Sequence, residues 1–177
     1  MKAFRYRPPA AMRHTPPTQP VALIEIPKGS RNKYEYDEGF GRVMLDRTLR
    51  SSLVYPCDYG FLLDTLGGDG DPLDVLVLVA APTFPGCLIP CDPIGVLLMR
   101  DEAGDDPKIL AVPHDDPVWT RVRELDGVRS ELRDEIAHFF DVYKDLEPGK
   151  TVTVDGWRDR SEAERLVAEA RAAFAAR

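Results

Sequence analysis

A small closed β-barrel with flanking α-helices, an α+β fold class, is what this sequence predicts, and three observations carry that expectation. Short runs rich in Val, Ile and Leu recur at close intervals between Gly, Pro and Asp turns, as in a small barrel. Two stretches toward the C-terminal end instead repeat apolar residues at helical spacing. At 177 residues and 44% hydrophobic, the chain is long enough for one compact domain with a sizeable core.

Met1 to Pro20 carries Lys2, Arg5, Arg7 and Arg13, no acids, and prolines at 8, 9, 16, 17 and 20. It is expected to form an extended proline-rich tail, with a single domain spanning 21–177. Its acid-poor, arginine-bearing character faintly resembles an organelle transit peptide, but the proline density opposes the amphipathic helix such a leader needs. Strands are predicted at Val21 to Ile26, Arg42 to Asp46, Leu73 to Ala80, Ile94 to Met99, Lys108 to Val112 and Thr151 to Val154. A first helix should start near Ser130, a good N-cap. It aligns Leu132, Ile136, Phe139 and Tyr143 on one face and stops at Pro148-Gly149. A second should open on a capping box, Ser161 with Glu164, and align Leu166, Ala170 and Phe174.

The segment Asp69-Gly70-Asp71-Pro72-Leu73-Asp74 runs straight into Val75-Leu76-Val77-Leu78-Val79, so three carboxylates aim at the mouth of a buried strand. Carboxylates titrate near ~3.9, and two such charges about 4 Å apart repel by roughly 4 kcal/mol at an effective dielectric of ~20. That arrangement demands cations, and all-oxygen ligation suits magnesium, manganese or calcium rather than zinc. An EF-hand reading fails, since its sixth and twelfth places hold Asp74 and Ala80 instead of glycine and glutamate. The plainer alternative is a polar turn before a strand. Asp74 weighs against it, because a charge inside an apolar run is costly to desolvate.

Asp101, Glu102, Asp105 and Asp106 form a second acidic group between two predicted strands, where a solvated hairpin tip turning at Gly104 is the plainer reading. Lys33, Arg47, Tyr55, Tyr59, Lys108, Tyr143 and Lys144 could meet a phosphate from the side opposite the metals. Singly each is weak; Lys144, for example, could simply complement a helix dipole. A net charge of -7 disfavours nucleic acid as the main partner. No apolar stretch is long enough to span a bilayer and no secretory h-region is evident, so a soluble, cytoplasmic protein is expected. Cys57, Cys87 and Cys91 make no CxxC pair, and His14, His114 and His138 share no ligand spacing; reduced thiols and structural or solvated imidazoles are the expectation.

Taken together, these residues resemble the soluble family I inorganic pyrophosphatases of the bacterial type. DGDPLDVLVL matches that family's signature. The resemblance extends through IEIP at Ile24 to Pro27, NKYEYD at Asn32 to Asp37, YPCDYGF at Tyr55 to Phe61, DEAGDDPK at Asp101 to Lys108, VPH at Val112 to His114 and HFFDVYKDLEPGK at His138 to Lys150. It implies a closed barrel of OB-like type and a homohexamer. It also implies that Asp69, Asp74 and Asp106 ligate a central pair of magnesium ions, with Asp74 between them, and that Asp71 orients the attacking water and accepts its proton. Asp101 and Asp106 would hold a further metal arriving with substrate, Glu35 would help hold another, and Glu25 would act through metal-bound water. Lys33, Arg47, Tyr59, Lys108, Tyr143 and Lys144 would contact the two phosphate groups, with Tyr55 supporting them. Asp58 stands where members often carry asparagine and Val142 where some carry histidine, and the tail before Val21 is an extension relative to shorter members.

The reaction implied is metal-dependent hydrolysis of inorganic pyrophosphate to two orthophosphates by a metal-activated water. Magnesium is the expected cofactor, manganese a possible substitute and calcium an expected inhibitor. The substrate would arrive as its magnesium complex, so the acidic balance does not oppose binding. Two other classes stay open on the residues alone: a divalent-cation binding module with a structural barrel, and a magnesium-dependent hydrolase of nucleotides or other phosphoesters. An OB-type barrel also allows nucleic-acid binding, which the acidic balance opposes.

Overall fold

The computed structural model describes residues 18–177, so the expected tail lies almost wholly outside the described residues. Nine strands and two helices follow in chain order. The strands are β1 Val21–Ile26, β2 Asn32–Asp37, β3 Arg42–Thr48, β4 Asp58–Leu62, β5 Asp74–Val77, β6 Leu88–Asp101, β7 Gly104–Asp105, β8 Lys108–Pro113 and β9 Val152–Arg158. The helices are α1 Ser130–Val142 and α2 Arg160–Ala175. Strands β1, β4, β5, β8 and β6 pair in that order, and β6 returns to β1, so the sheet closes into a five-stranded ring. Closure leaves no open edge along the ring. β7 and β9 extend from β6, while β2 and β3 form a separate hairpin.

The ring strands bury side chains on both faces, which is why they read as unbroken apolar runs. Val75 and Val77 of β5 and Ile109 and Ala111 of β8 pack with Ala163, Val167 and Ala170 of α2. Leu76 and Leu110, one residue on in each strand, pack instead with Ile136, Phe139 and Phe140 of α1. β5 and β8 are parallel, with Val75 opposite Ile109. Their first residues, Asp74 and Lys108, are therefore neighbours.

Several expected boundaries are corrected. β6 runs from Leu88 to Asp101 rather than from Ile94 to Met99. Pro90 and Pro93 read as breakers, but the strand crosses them and shifts register between Pro93 and Gly95, a bulge that lets one long strand serve β1, β8 and β9. β5 is shorter than Leu73 to Ala80, β9 extends to Arg158, and β2, β4 and β7 were not anticipated. Ser130 is the first residue of α1, and its cap position is Arg129, whose side chain makes no capping bond. In α2 the cap is Asp159, whose carboxylate accepts from Glu162 N, so Ser161 lies inside the helix and donates to Asp159. Leu132, Leu166 and Phe174 are half-buried, and Val167 and Ala163 carry the buried side of α2.

Gly60 of β4 faces Ile24 across the ladder, and a Cβ there would sit 1.9 Å from the Leu23 carbonyl oxygen. Backbone cannot yield as a flexible side chain can. Gly60→Ala should therefore destabilise the fold by at least ~3 kcal/mol, in the range reserved for severe overpacking. Urea unfolding of the variant measures it, and a loss under about 1 kcal/mol would refute the packing argument.

Candidate active site

One pocket of about 990 Å³ opens where the parallel strands begin. Asp74 and Lys108 form its floor, each at the first position of its strand. Lys108 Nζ bonds the carboxylates of both Asp74 and Asp106, and Tyr59 donates its hydroxyl to Asp74 Oδ2 at 2.6 Å. Tyr59 reaches Asp74 because it pairs with Leu76, two residues along and on the same face. Lys108 is almost fully buried, with its ammonium 5.7 Å from the Tyr59 ring centre.

Three segments outside the ring supply the walls. The β2–β3 hairpin brings Lys33, Glu35 and Arg47. The connection from the end of β6 through β7 to β8 brings Asp101, Asp105 and Asp106, and the chain leaving α1 brings Tyr143 and Lys144. Lys144 Nζ meets Asp101 Oδ2 at 2.9 Å. The loop entering β5 carries Asp69 and Asp71, and Asp69 Oδ1 accepts from Asp71 N at 3.0 Å. Asp69, Asp71, Asp74, Asp101, Asp106, Glu35, Lys33, Arg47, Tyr59, Lys108, Tyr143 and Lys144 thus line one pocket.

Glu25 and Tyr55 stand behind the lining. A register shift in β1 between Ile24 and Ile26 re-aims Glu25 so that its carboxylate accepts from Tyr36 N at 2.6 Å. Tyr55 packs 5.5 Å from the Tyr59 ring and 4.8 Å from Phe139, wedging the site against α1. Sequence reasoning missed Glu147, which binds Arg47 through both oxygens, and Lys150, which pairs with Glu102. Both lie in the HFFDVYKDLEPGK motif, beside the Pro148-Gly149 pair read as the end of the first helix, but neither was given a role. Asp46, which bonds Arg47 and lies 3.4 Å from Lys33, was passed over as a strand end.

Charge in the pocket is unbalanced. Glu35, Asp69, Asp71, Asp74, Asp101, Asp105, Asp106, Glu147 and Glu169 outnumber Lys33, Arg47, Lys108, Lys144 and Lys150. Burial and the nearest charges together set how individual groups titrate. Burial and the Asp69, Asp74 and Glu35 charges push Asp71 above the ordinary carboxylate range. Burial also pushes Asp106 up, and Lys108, shared with Asp74, offsets this only in part. Lys108 itself is held above its usual value: burial opposes its charge, but two carboxylates outweigh it. Asp101 is held low, because the Lys144 ion pair and the Ala103 N–H outweigh its partial burial.

The donor set is carboxylate oxygen throughout, which fits a hard divalent cation. The Lys108 ammonium already bridges Asp74 and Asp106 as a cation would. Among the described residues no three acidic, histidine or cysteine side chains stand as a finished metal cage, so these carboxylates would have to turn from their lysine partners toward a metal.

The family model described as Inorganic pyrophosphatase matches residues 22–175. The inorganic pyrophosphatase of Leifsonia xyli subsp. xyli is 59% identical over 145 residues, 82% of this chain and 89% of that one. That of Streptomyces coelicolor is 59% identical over 141 residues, 80% of this chain and 86% of its own. The solved inorganic pyrophosphatase of Helicobacter pylori superposes with a TM-score of 0.88 at 39% identity, spanning 93% of this chain and 99% of that one. The Thermus thermophilus structure gives 0.87 at 40% identity, spanning 98% of each.

Burial, aided by the Asp74 and Glu35 charges and opposed by the Tyr36 N–H, pushes Glu25 from its ordinary 4.5 up to about 7. The folded carboxyl keeps its proton where the unfolded one has released it. Metal-free protein should therefore lose stability as pH rises from about 4.5 to about 7, by roughly 3 kcal/mol in all, with the penalty full above that window and absent below it. Glu25→Gln removes the ionisation, and unfolding free energies across that window should then vary less with pH than in the parent. An unchanged pH slope would sink the assignment.

Proposed function

The chain belongs to the inorganic pyrophosphatase family, and from that premise we propose that its pocket binds pyrophosphate as a magnesium complex and hydrolyses it to two orthophosphates. The activity is that of a metal-dependent hydrolase of inorganic pyrophosphate. The single observation that carries the assignment of residues is the pocket itself, where a surplus of carboxylates faces Lys33, Arg47, Lys108 and Lys144 across a space about 990 Å³ in volume.

Asp69, Asp74, Asp106, Asp101 and Glu35 would hold the metal ions, with Glu25 behind them. Magnesium when bound neutralises phosphate oxygens and lowers the pKa of water toward neutrality. The chain's own residues do the rest. Asp71 sits exposed at the rim of the β5 loop, beside the proposed metal ligands, where it would take the proton of the attacking water. Lys33, Arg47, Lys108 and Lys144 bind the phosphate oxygens and answer the charge that gathers on the departing phosphate. Tyr59 and Tyr143 keep their protons, because burial lifts both phenols above their usual range; Tyr143 can donate to a phosphate oxygen, and Tyr59, whose proton goes to Asp74, would do so once Asp74 turns to a metal. Tyr55 holds Tyr59 in place through ring packing. Manganese would substitute and calcium would inhibit, since calcium's longer oxygen distances place its ligands differently.

We also propose a cytoplasmic homohexamer that works without nucleic acid or membrane, on the family resemblance and the net charge of -7. Among the described residues no helix is long and apolar enough to cross a membrane. Residues 21–177 would act as one domain, supported by the single ring of strands and the extent of the family match.

Orthophosphate release from pyrophosphate should rise with magnesium, vanish on exhaustive chelation, and far exceed release from ATP. Comparable turnover of ATP would instead assign a general phosphohydrolase. Within the site, Asp71→Asn should lower turnover by at least ~10²-fold at any magnesium concentration, whereas Asp74→Asn should recover in part as magnesium is raised. Recovery of Asp71→Asn but not of Asp74→Asn would reverse the two roles.

A further inference from the structure

Arg47 reaches the pocket from β3, a strand outside the barrel ring, and its guanidinium is held by a residue 100 positions away. Glu147 Oε1 accepts from Arg47 Nε at 3.1 Å and from Nη2 at 2.8 Å, and Glu147 Oε2 accepts from Nη2 at 2.8 Å. Glu147 is the less exposed partner, its side chain retaining 10% of its accessible surface against 33% for Arg47. It lies in a turn that begins at Lys144, since Glu147 N donates to the Lys144 carbonyl at 2.8 Å. Resting on the pyrophosphatase reading above, we infer that Glu147 is a positioning residue: it fixes the Arg47 guanidinium for phosphate and locks the hairpin to the segment bearing Tyr143 and Lys144.

The geometry separates Glu147 from a mere competitor. Guanidinium carries five N–H donors in a rigid fork. Glu147 occupies the Nε–Nη2 side, whereas Asp46 bonds Nη1. A phosphate approaching the Nη1–Nη2 edge displaces Asp46 and leaves the Glu147 contacts in place. Asp46 is thus the group that yields to substrate, and Glu147 the one that stays. Without it Arg47 would have to find its orientation among many rotamers at the moment of binding, which lowers affinity without altering the groups that act on the reacting bond.

Steady-state kinetics with magnesium and pyrophosphate, in parent, Glu147→Gln, Arg47→Ala and the double variant, test this, with melting temperatures recorded for each. Glu147→Gln should raise KM for pyrophosphate roughly tenfold, a size usual for coupling between contacting residues, with kcat within about twofold of the parent. In the Arg47→Ala background the same substitution should add almost nothing. A KM that falls in Glu147→Gln overturns the inference, because Glu147 would then be competing with substrate. Equal effects in both backgrounds also overturn it, as would a loss confined to kcat that tracks melting temperature. If Arg47→Ala alone leaves KM unchanged, the placing of Arg47 against substrate fails first and the inference falls with it.

Discussion

One lysine shared between two carboxylates fixes the design of this protein. Lys108 and Asp74 are adjacent because β5 and β8 run parallel and start level, and Asp106 reaches the same ammonium from two residues before β8. A nearly buried ammonium with two acidic partners has its own charge amply satisfied, but each acid receives only part of one cation. Removing either partner of such a pair would strand a charge at high cost. The barrel floor therefore holds its charges in fixed places while leaving the acids short of positive charge, the condition in which additional cations bind well.

The rest of the molecule divides around that floor. The ring is dry on both faces, with α1 against one and α2 against the other, so β5 and β8 have little freedom to shift. The groups that must meet a substrate of changing charge sit on attachments: the hairpin, the connection from β6 through β7 to β8 and the stretch after α1. Each is pinned by a few polar contacts, Glu25 to Tyr36, Arg47 to Glu147, Lys144 to Asp101, and Lys150 to Glu102. Of these only Lys150–Glu102 is well exposed and can exchange partners at small cost, whereas Glu25, Glu147 and the Lys144–Asp101 pair are shielded and hold their segments more firmly.

Much of this was legible in the residues. β1 and the start of β8 fall where the apolar runs place them, and α1 shows its buried stripe at Ile136 and Phe139, though it ends at Val142, just before the buried Tyr143, rather than at Pro148-Gly149. Strands were missed where burial, rather than composition, decides. Asn32–Asp37 has no aliphatic residue and is a strand because it pairs with β3, and Asp58–Leu62 holds an aspartate and a glycine that only a close neighbouring strand explains. The prolines of β6 misled for a related reason: local propensity marks them as breakers, but a bulged strand can absorb them. In the site, the motif positions arrived together, whereas Glu147 and Asp46 were hidden because their importance is relational. A glutamate near a helix end carries no sign that an arginine 100 residues earlier needs it.

Asp58, a departure from the residue often found in this family, illustrates how such a change stays local. It is fully buried, and a lone charge there would be prohibitive. Its Oδ1 accepts from Lys28 N at 2.7 Å, and its Oδ2 accepts from both the backbone N–H and the hydroxyl of Thr83. Both oxygens thus meet donors, and an asparagine would turn an NH2 group toward one of them, setting donor against donor unless Thr83 reoriented. The carboxylate is matched to this particular pair of loops, one after β1 and one before β6. Because Asp58 lies outside the pocket lining, its charge is answered where it stands and leaves the balance around Lys108 to the residues that face the pocket.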